Sequence, residues 1–233
     1  MNCWAVLLFA VVAAWGCESA PGRPAVDSVV IAPNKVLDFE VLYASNCAGC
    51  HGANGAGGLA LSLADPLYLA IADDATIRRV TAEGVVGTAM PAFAQSAGGL
   101  LTAEQVDVIV QGIRARWAKP TMFSDVQLPS YAARAPGDAA RGASAYAVFC
   151  ASCHGAAGRG GPRASSIVDR AYLTIVSDQS LRTTVIAGRP DMGAPDWRSD
   201  VPGKSMPPQD ISDVVAWLAA QRPAAMRATG GFK

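Results

Sequence analysis

Cys47-Ala48-Gly49-Cys50-His51 and Cys150-Ala151-Ser152-Cys153-His154 are the two stretches on which the reading of this chain turns. Each sets two thiols one helical turn apart and follows them at once with an imidazole. That spacing suits the two vinyl groups on one edge of a porphyrin and lets the next residue turn its ring under the iron, the signature of covalent haem c. Three rival chemistries fit worse. A thioredoxin-like redox pair sits after a strand, in a βαβ context this chain lacks, and leaves the repeated histidine unexplained. A zinc site needs four ligands where each stretch offers three. A two-residue gap suits disulfide geometry poorly. The chain has only two histidines, and both lie in these motifs. Any scheme needing a third imidazole is excluded.

Outward from the motifs, the chain is one unit written twice. At an offset of 103, Tyr43, Cys47, Cys50, His51, Gly52, Gly55, Gly57 and Gly58 fall on Tyr146, Cys150, Cys153, His154, Gly155, Gly158, Gly160 and Gly161. At an offset of 104, Asp65, Tyr68, Leu69, Asp74, Arg78 and Gly84 fall on Asp169, Tyr172, Leu173, Asp178, Arg182 and Gly188. One small insertion accounts for the drift. A period this long is that of tandem domains, not of a solenoid. The units run over residues 37–117 and 138–222, joined by a surface linker over 118–137 with Pro120, Pro129 and Pro136.

Both units read as helical. Short helices over Leu37–Ser45 and Asp138–Phe149 run into the cysteine pairs. Asp74 and Asp178 stand as N-caps of helices carrying Ile77/Val80 and Leu181/Val185. Val106, Ile109, Val110 and Ile113 repeat at helical spacing, as do Ile211, Val214, Val215 and Leu218. Thr102 with Gln105 forms a capping box, and Pro208 suits an opening turn. No strand alternation is seen, so the fold class is all-α.

The 233 residues are 51% apolar and 16% charged, with 19 basic against 19 acidic side chains. Zero net charge argues against a nucleic-acid partner, which needs a clustered basic excess. The uncharged run from Cys3 to Gly16 is about 21 Å long as a helix, short of the ~30 Å bilayer core. It reads as a signal peptide over 1–16. Its end, Ala14-Trp15-Gly16-Cys17, resembles a lipobox, which implies lipid attachment at Cys17. The expected location is therefore the periplasmic side of the membrane. Residues 17–36 would be the tether and 223–233 a C-terminal tail.

The motifs, the duplication and the helical pattern together resemble a tandem dihaem class I cytochrome c over about residues 35–222. The resemblance implies two covalently bound haem c groups, attached through Cys47, Cys50, Cys150 and Cys153. It also implies axial ligation by His51 and His154 with a methionine opposite each. Met90, in Gly87-Thr88-Ala89-Met90-Pro91, resembles the family's Met-Pro ligand loop. In the second unit Met192 and Met206 compete. Superposing Ile211 on Val106 sets Met206 opposite Leu101, and deleting two residues after Gly188 brings Met192 to the Met90 loop. Met192 is the assignment, and Met206, which precedes a proline, the second candidate. A proline after the motif helps place the carbonyl that orients the imidazole; Pro162 fits, whereas Leu59 stands there in the first unit. Tyr68, Tyr172, Leu69 and Leu173 are expected at the haem crevices.

His/Met ligation fills both axial positions and favours ferrous iron. The implied role is a one-electron carrier, not an enzyme. It would run between a membrane quinol-oxidising complex and a terminal oxidase, small cytochrome or copper protein. The alternative is a catalytic dihaem cytochrome, peroxidase-like or oxidising sulfur compounds, with one open haem site.

Overall fold

The computed structural model describes residues 31–199 and 201–223. The expected signal peptide, the lipidation site Cys17 and the C-terminal tail from residue 224 lie outside the described residues. The chain divides into two compact units, Met1–Lys35 and Val36–Lys233. Of the first, residues 31–35 are described, with a 3-10 turn at Pro33–Lys35. The second holds both copies of the repeat.

Among the described residues there is no strand, only two isolated bridges, and ten α-helices carry the fold. The first copy runs α1 (Phe39–Asn46), α2 (Ala48–His51), α3 (Pro66–Ile71), α4 (Asp74–Glu83) and α5 (Ala103–Trp117). The second runs α6 (Ala139–Phe149), α7 (Ala151–His154), α8 (Arg170–Ile175), α9 (Asp178–Ala187) and α10 (Pro208–Ala220). Caps follow the sequence closely. Asp38 and Asp138 cap α1 and α6, Asp65 and Asp169 cap α3 and α8, and Thr102 with Gln105 closes the capping box of α5.

The caps of α4 and α9 fall one residue earlier than the sequence suggests, on Asp73 and Ser177. Asp74 and Asp178 have another partner. Arg114 pairs with Asp74 and donates to the Leu69 and Ala72 carbonyls at the end of α3. Arg222 does the same with Asp178, Leu173 and Val176 at the end of α8. In both copies an arginine from the last helix or just beyond it satisfies carbonyls that the short helix leaves without partners.

The apolar stripes of α5 and α10 form the cores. Val106, Ile109, Val110 and Ile113 pack with Leu42, Tyr43, Tyr68, Leu69 and Ile77. Val214, Val215 and Leu218 pack with Tyr146, Leu173 and Leu181. A third cluster joins the copies, with Leu67 of α3 among Ile186, Trp197, Met206 and Ile211. Each such side chain, fully buried, contributes about 1.5–3 kcal/mol.

The first and last helices of each copy exchange bulk. In the first copy Phe39 of α1 lies where a Cβ on Gly112 of α5 would be 2.1 Å from its ring. In the second copy the small residue is Gly142 of α6 and the aromatic is Trp217 of α10, stacked on Tyr146 at 4.3 Å. The linker, expected on the surface, is partly pinned. Buried Arg182 holds the Ser130 and Tyr131 carbonyls, and Gln179 adds a second bond to Tyr131.

Candidate haem sites

Each motif is a single helical turn continuing a longer helix. Cys47 accepts from the amides of Cys50 and His51, and Cys150 accepts from those of Cys153 and His154. Both thiols therefore leave one face of one turn. Glycine must follow the histidine: Gly52 has φ +84°, and a Cβ there would sit 1.8 Å from the Ala56 carbonyl oxygen. The same turn follows His154, with Gly155 at φ +77°. A tyrosine secures each turn, Tyr43 Oη donating to Gly52 O at 2.9 Å and Tyr146 Oη to Gly155 O. The repeat marks both tyrosines, but only the fold shows what they hold.

The imidazoles are oriented identically. His51 Nδ1 donates to the Leu61 carbonyl at 2.7 Å, and His154 Nδ1 to the Ser165 carbonyl at 2.8 Å. A carbonyl only accepts, so the proton is on Nδ1 and the Nε2 lone pair is left for a metal. The carbonyl is present in both copies, although Leu59 replaces the proline in the first and is itself 98% exposed. Burial pulls the His51 pKa below its ordinary value, favouring the neutral ligand form. Burial also pushes the Cys47 thiol up to about 11. Burial of this kind holds the Cys47 thiol in its protonated form and does not activate it as a nucleophile. Among the described residues no three His, Cys, Asp or Glu side chains form a group able to hold a bare metal ion. Two thiols on one turn beside an oriented imidazole fit haem c in both copies.

Other expected crevice residues are structural first. Tyr68, Leu69 and Leu173 are buried in the cores, and Tyr172 packs against the second. Arg163 donates to the Ser152 carbonyl on the attachment turn.

The ligand loops have a register that the sequence obscured. Gly84 and Gly188 end α4 and α9 in the same positive-φ conformation. From there Val85 N donates to Met90 O at 3.0 Å, and Arg189 N to Ala194 O at 3.0 Å. Thr88 N returns to Val85 O, and Met192 N to Arg189 O. Leu101 N donates to Phe93 O, and Met206 N to Trp197 O. The offset is thus 104 from Gly84/Gly188 through Phe93/Trp197 and becomes 105 only by Leu101/Met206, so the two-residue deletion after Gly188 does not occur. The backbone counterpart of Met90-Pro91 is Ala194-Pro195. Met192 stands at the level of Thr88, on the 3-10 turn Pro190–Met192, and is 71% exposed. Met206 is 5% exposed in the cluster joining the copies, and its counterpart Leu101 is equally buried.

The profile of the family described as cytochrome C oxidase, cbb3-type, subunit III matches residues 34–113 and again 137–218. The chain belongs to the cbb3-type cytochrome c oxidase subunit III family. A relative in that family, the Cbb3-type cytochrome c oxidase subunit CcoP of Azospirillum sp. (strain B510), is 31% identical over 129 residues. That match covers 51% of this chain, and the chain spans only 38% of the relative's length. Among solved structures, the Kuenenia stuttgartiensis reducing HAO-like protein complex Kustc0457/Kustc0458 aligns at 17% identity. It covers 83% of this chain and 100% of its own, with a TM-score of 0.49. Thiosulfate dehydrogenase (TsdBA) from Marichromatium purpuratum aligns at 20% identity over 86% of this chain and 50% of its own, with a TM-score of 0.31. Family membership, applied twice along the chain, makes it a dihaem class I c-type cytochrome with two haem c groups. Its function is electron transfer.

Proposed function

We propose that this cytochrome relays single electrons from a membrane quinol-oxidising complex to a terminal oxidase of the cbb3 kind, or to a small cytochrome or copper protein. The observation that carries the reading is the pair of attachment turns with their Nδ1-anchored histidines, in one compact unit whose joining cluster packs against Cys150. Bound haem c supplies a one-electron ferric/ferrous couple; the chain supplies the rest. His51 and His154 would each offer Nε2 to a haem iron, with Leu61 and Ser165 fixing their rings. Met90 would supply the thioether to the iron in the first copy, and Met192 is the thioether offered by the corresponding loop of the second. Buried apolar side chains around each site keep water away and set the potential. We read the protein as a carrier and not as a turnover enzyme.

The likeness to the Azospirillum oxidase subunit CcoP supports the oxidase as partner. The periplasmic location and the lipid anchor at Cys17 are drawn from the leader sequence. No helix among the described residues is long and apolar enough to cross a membrane. The test is rapid mixing of the oxidised dihaem protein with a quinol-oxidising complex, then with a cbb3-type oxidase and oxygen. Reduction of both haems and reoxidation within catalytic turnover times support the relay. A protein that neither complex reduces or oxidises refutes it.

A further inference from the structure

We infer that the second haem is a ligand-exchanging site, where Met192 is a displaceable sixth ligand and a small neutral π-acceptor such as carbon monoxide takes its place. The inference rests on the dihaem reading above and concerns what the second site binds besides electrons.

The two loops share the bonds that close the turn, Val85 N to Met90 O and Thr88 N to Val85 O in one, Arg189 N to Ala194 O and Met192 N to Arg189 O in the other, and differ most in their side chains. In the first copy the loop carries Met90 at the residue whose carbonyl closes on Val85, and a proline follows. Thr88 braces that residue from within: its Oγ1 donates to Val85 O at 2.8 Å and accepts from Met90 N at 3.2 Å. The thioether is thus delivered from a backbone fixed by three hydrogen bonds. In the second copy the same backbone position carries Ala194, whose methyl group is no ligand. The Thr88 position carries Met192, so the hydroxyl brace gives way to a backbone bond from Ala194 N to Arg189 O at 3.0 Å, and the thioether of this loop stands two residues ahead of the delivering position.

Met192 also belongs to none of the protein's core clusters. It is 71% exposed, while the neighbours that hold its turn engage other groups. Arg189 pairs with Asp191 and donates to the Gly58 carbonyl of the first copy. Met206 does not substitute, because its side chain is committed to the cluster of Leu67, Ile186, Trp197 and Ile211. A thioether that reaches in from two residues ahead of the delivering position must be ordered each time it binds, and that entropy weakens it against a competitor. The exchange is balanced: one neutral two-electron donor leaves, another enters, and no electron or proton is transferred.

The experiment uses the full dihaem protein, reduced with dithionite and titrated with carbon monoxide. Wild type is expected to bind one carbon monoxide per two haems, and the oxidised form to show a sulfur-to-iron charge-transfer band that mixing with a competing ligand removes only in part. Met192→Leu should tighten carbon monoxide binding roughly tenfold by removing the internal competitor. Ala194→Met, which restores the Met90 arrangement, should abolish uptake and strengthen the band. No uptake by wild type overturns the inference. So does an unchanged affinity in Met192→Leu, or persistent uptake in Ala194→Met. A separate redox titration judges the carrier reading: two reversible one-electron steps keep it standing whichever way the carbon monoxide result falls.

Discussion

Asp213 shows how one side chain can tie a chain segment to a core. It is buried and accepts from the Asp138 amide at the entrance of α6, from Gln209 and from the Arg141 guanidinium. Arg141 beside it holds its carboxyl down at about 2. A carboxyl depressed in the folded state stabilises above its unfolded pKa, near 3.9, and that contribution is lost as the pH falls through the folded value. Asp213→Asn should therefore lower stability to urea at pH 7 by about 1–3 kcal/mol. The deficit should shrink below pH 4 and vanish only below pH 2; a constant deficit across that range would contradict the charge argument. The sequence offered no pointer to this residue, since its counterpart at an offset of 105 is Val108 and the repeat is silent where the copies differ. Arg182 is the converse. Repetition marks it as the partner of Arg78, which pairs with Asp107. Yet the counterpart of Asp107 is Ser212, so in the second copy the guanidinium is free to bind the linker carbonyls as well. Cys-x-x-Cys-His was legible because its chemistry is local. The acceptors Leu61 and Ser165 were not, because only a folded loop decides which carbonyl meets an imidazole.

At the scale of helices, periodicity and caps carried most of the fold, and the errors were informative. Asp73-Asp74 and Ser177-Asp178 each offer two capping side chains in succession, and sequence does not show that an arginine forty residues on will claim the second. Pairing of the terminal helices was equally hidden. The stripes on α5 and α10 look alike, but the bulk facing α1 and α6 is exchanged. The obstacle to a side chain at Gly112 is the Phe39 ring, which can move or be trimmed. The nearest obstacle at Gly142 is the Asp213 carbonyl oxygen, 2.0 Å from a Cβ there, and it is backbone. Gly112→Ala and Gly142→Ala should each destabilise by about 1–3 kcal/mol. Combining Gly112→Ala with Phe39→Leu should recover much of the first loss, whereas Gly142→Ala with Trp217→Leu should recover little of the second. Two double-mutant cycles in denaturant measure the difference. Equal coupling in both would show that the two helix pairs have the same tolerance, contrary to the geometry.

For the whole molecule the question is whether the two haem-binding copies act as beads on a string or as one body. The repeat and the proline-bearing linker favour beads on sequence grounds, since neither reveals contacts between copies. The structure favours one body. Leu67, on the short helix α3, is 3% exposed among Ile186, Trp197, Met206 and Ile211 of the second copy, and Arg189 reaches back to Gly58. The ligand loop of one copy thereby touches the attachment loop of the other, which suits two redox centres that must exchange electrons at fixed separation. Burying Leu67 stabilises the joint far more than the single Arg189 bond does, because the leucine contributes apolar area and the bond only replaces water. Leu67→Ala should cost about 2–5 kcal/mol. Leu67→Glu should go further, since a carboxylate without a partner has no place in that cluster. Wild type should then unfold in one calorimetric transition and Leu67→Glu in two, with proteolysis appearing in the linker near residues 119–127. Electron transfer between the haems, followed after photoreduction of one of them, should slow in the same variant while the spectra of both haems stay unchanged. A Leu67→Glu protein that still melts as one unit and exchanges electrons at the wild-type rate would place the joint elsewhere.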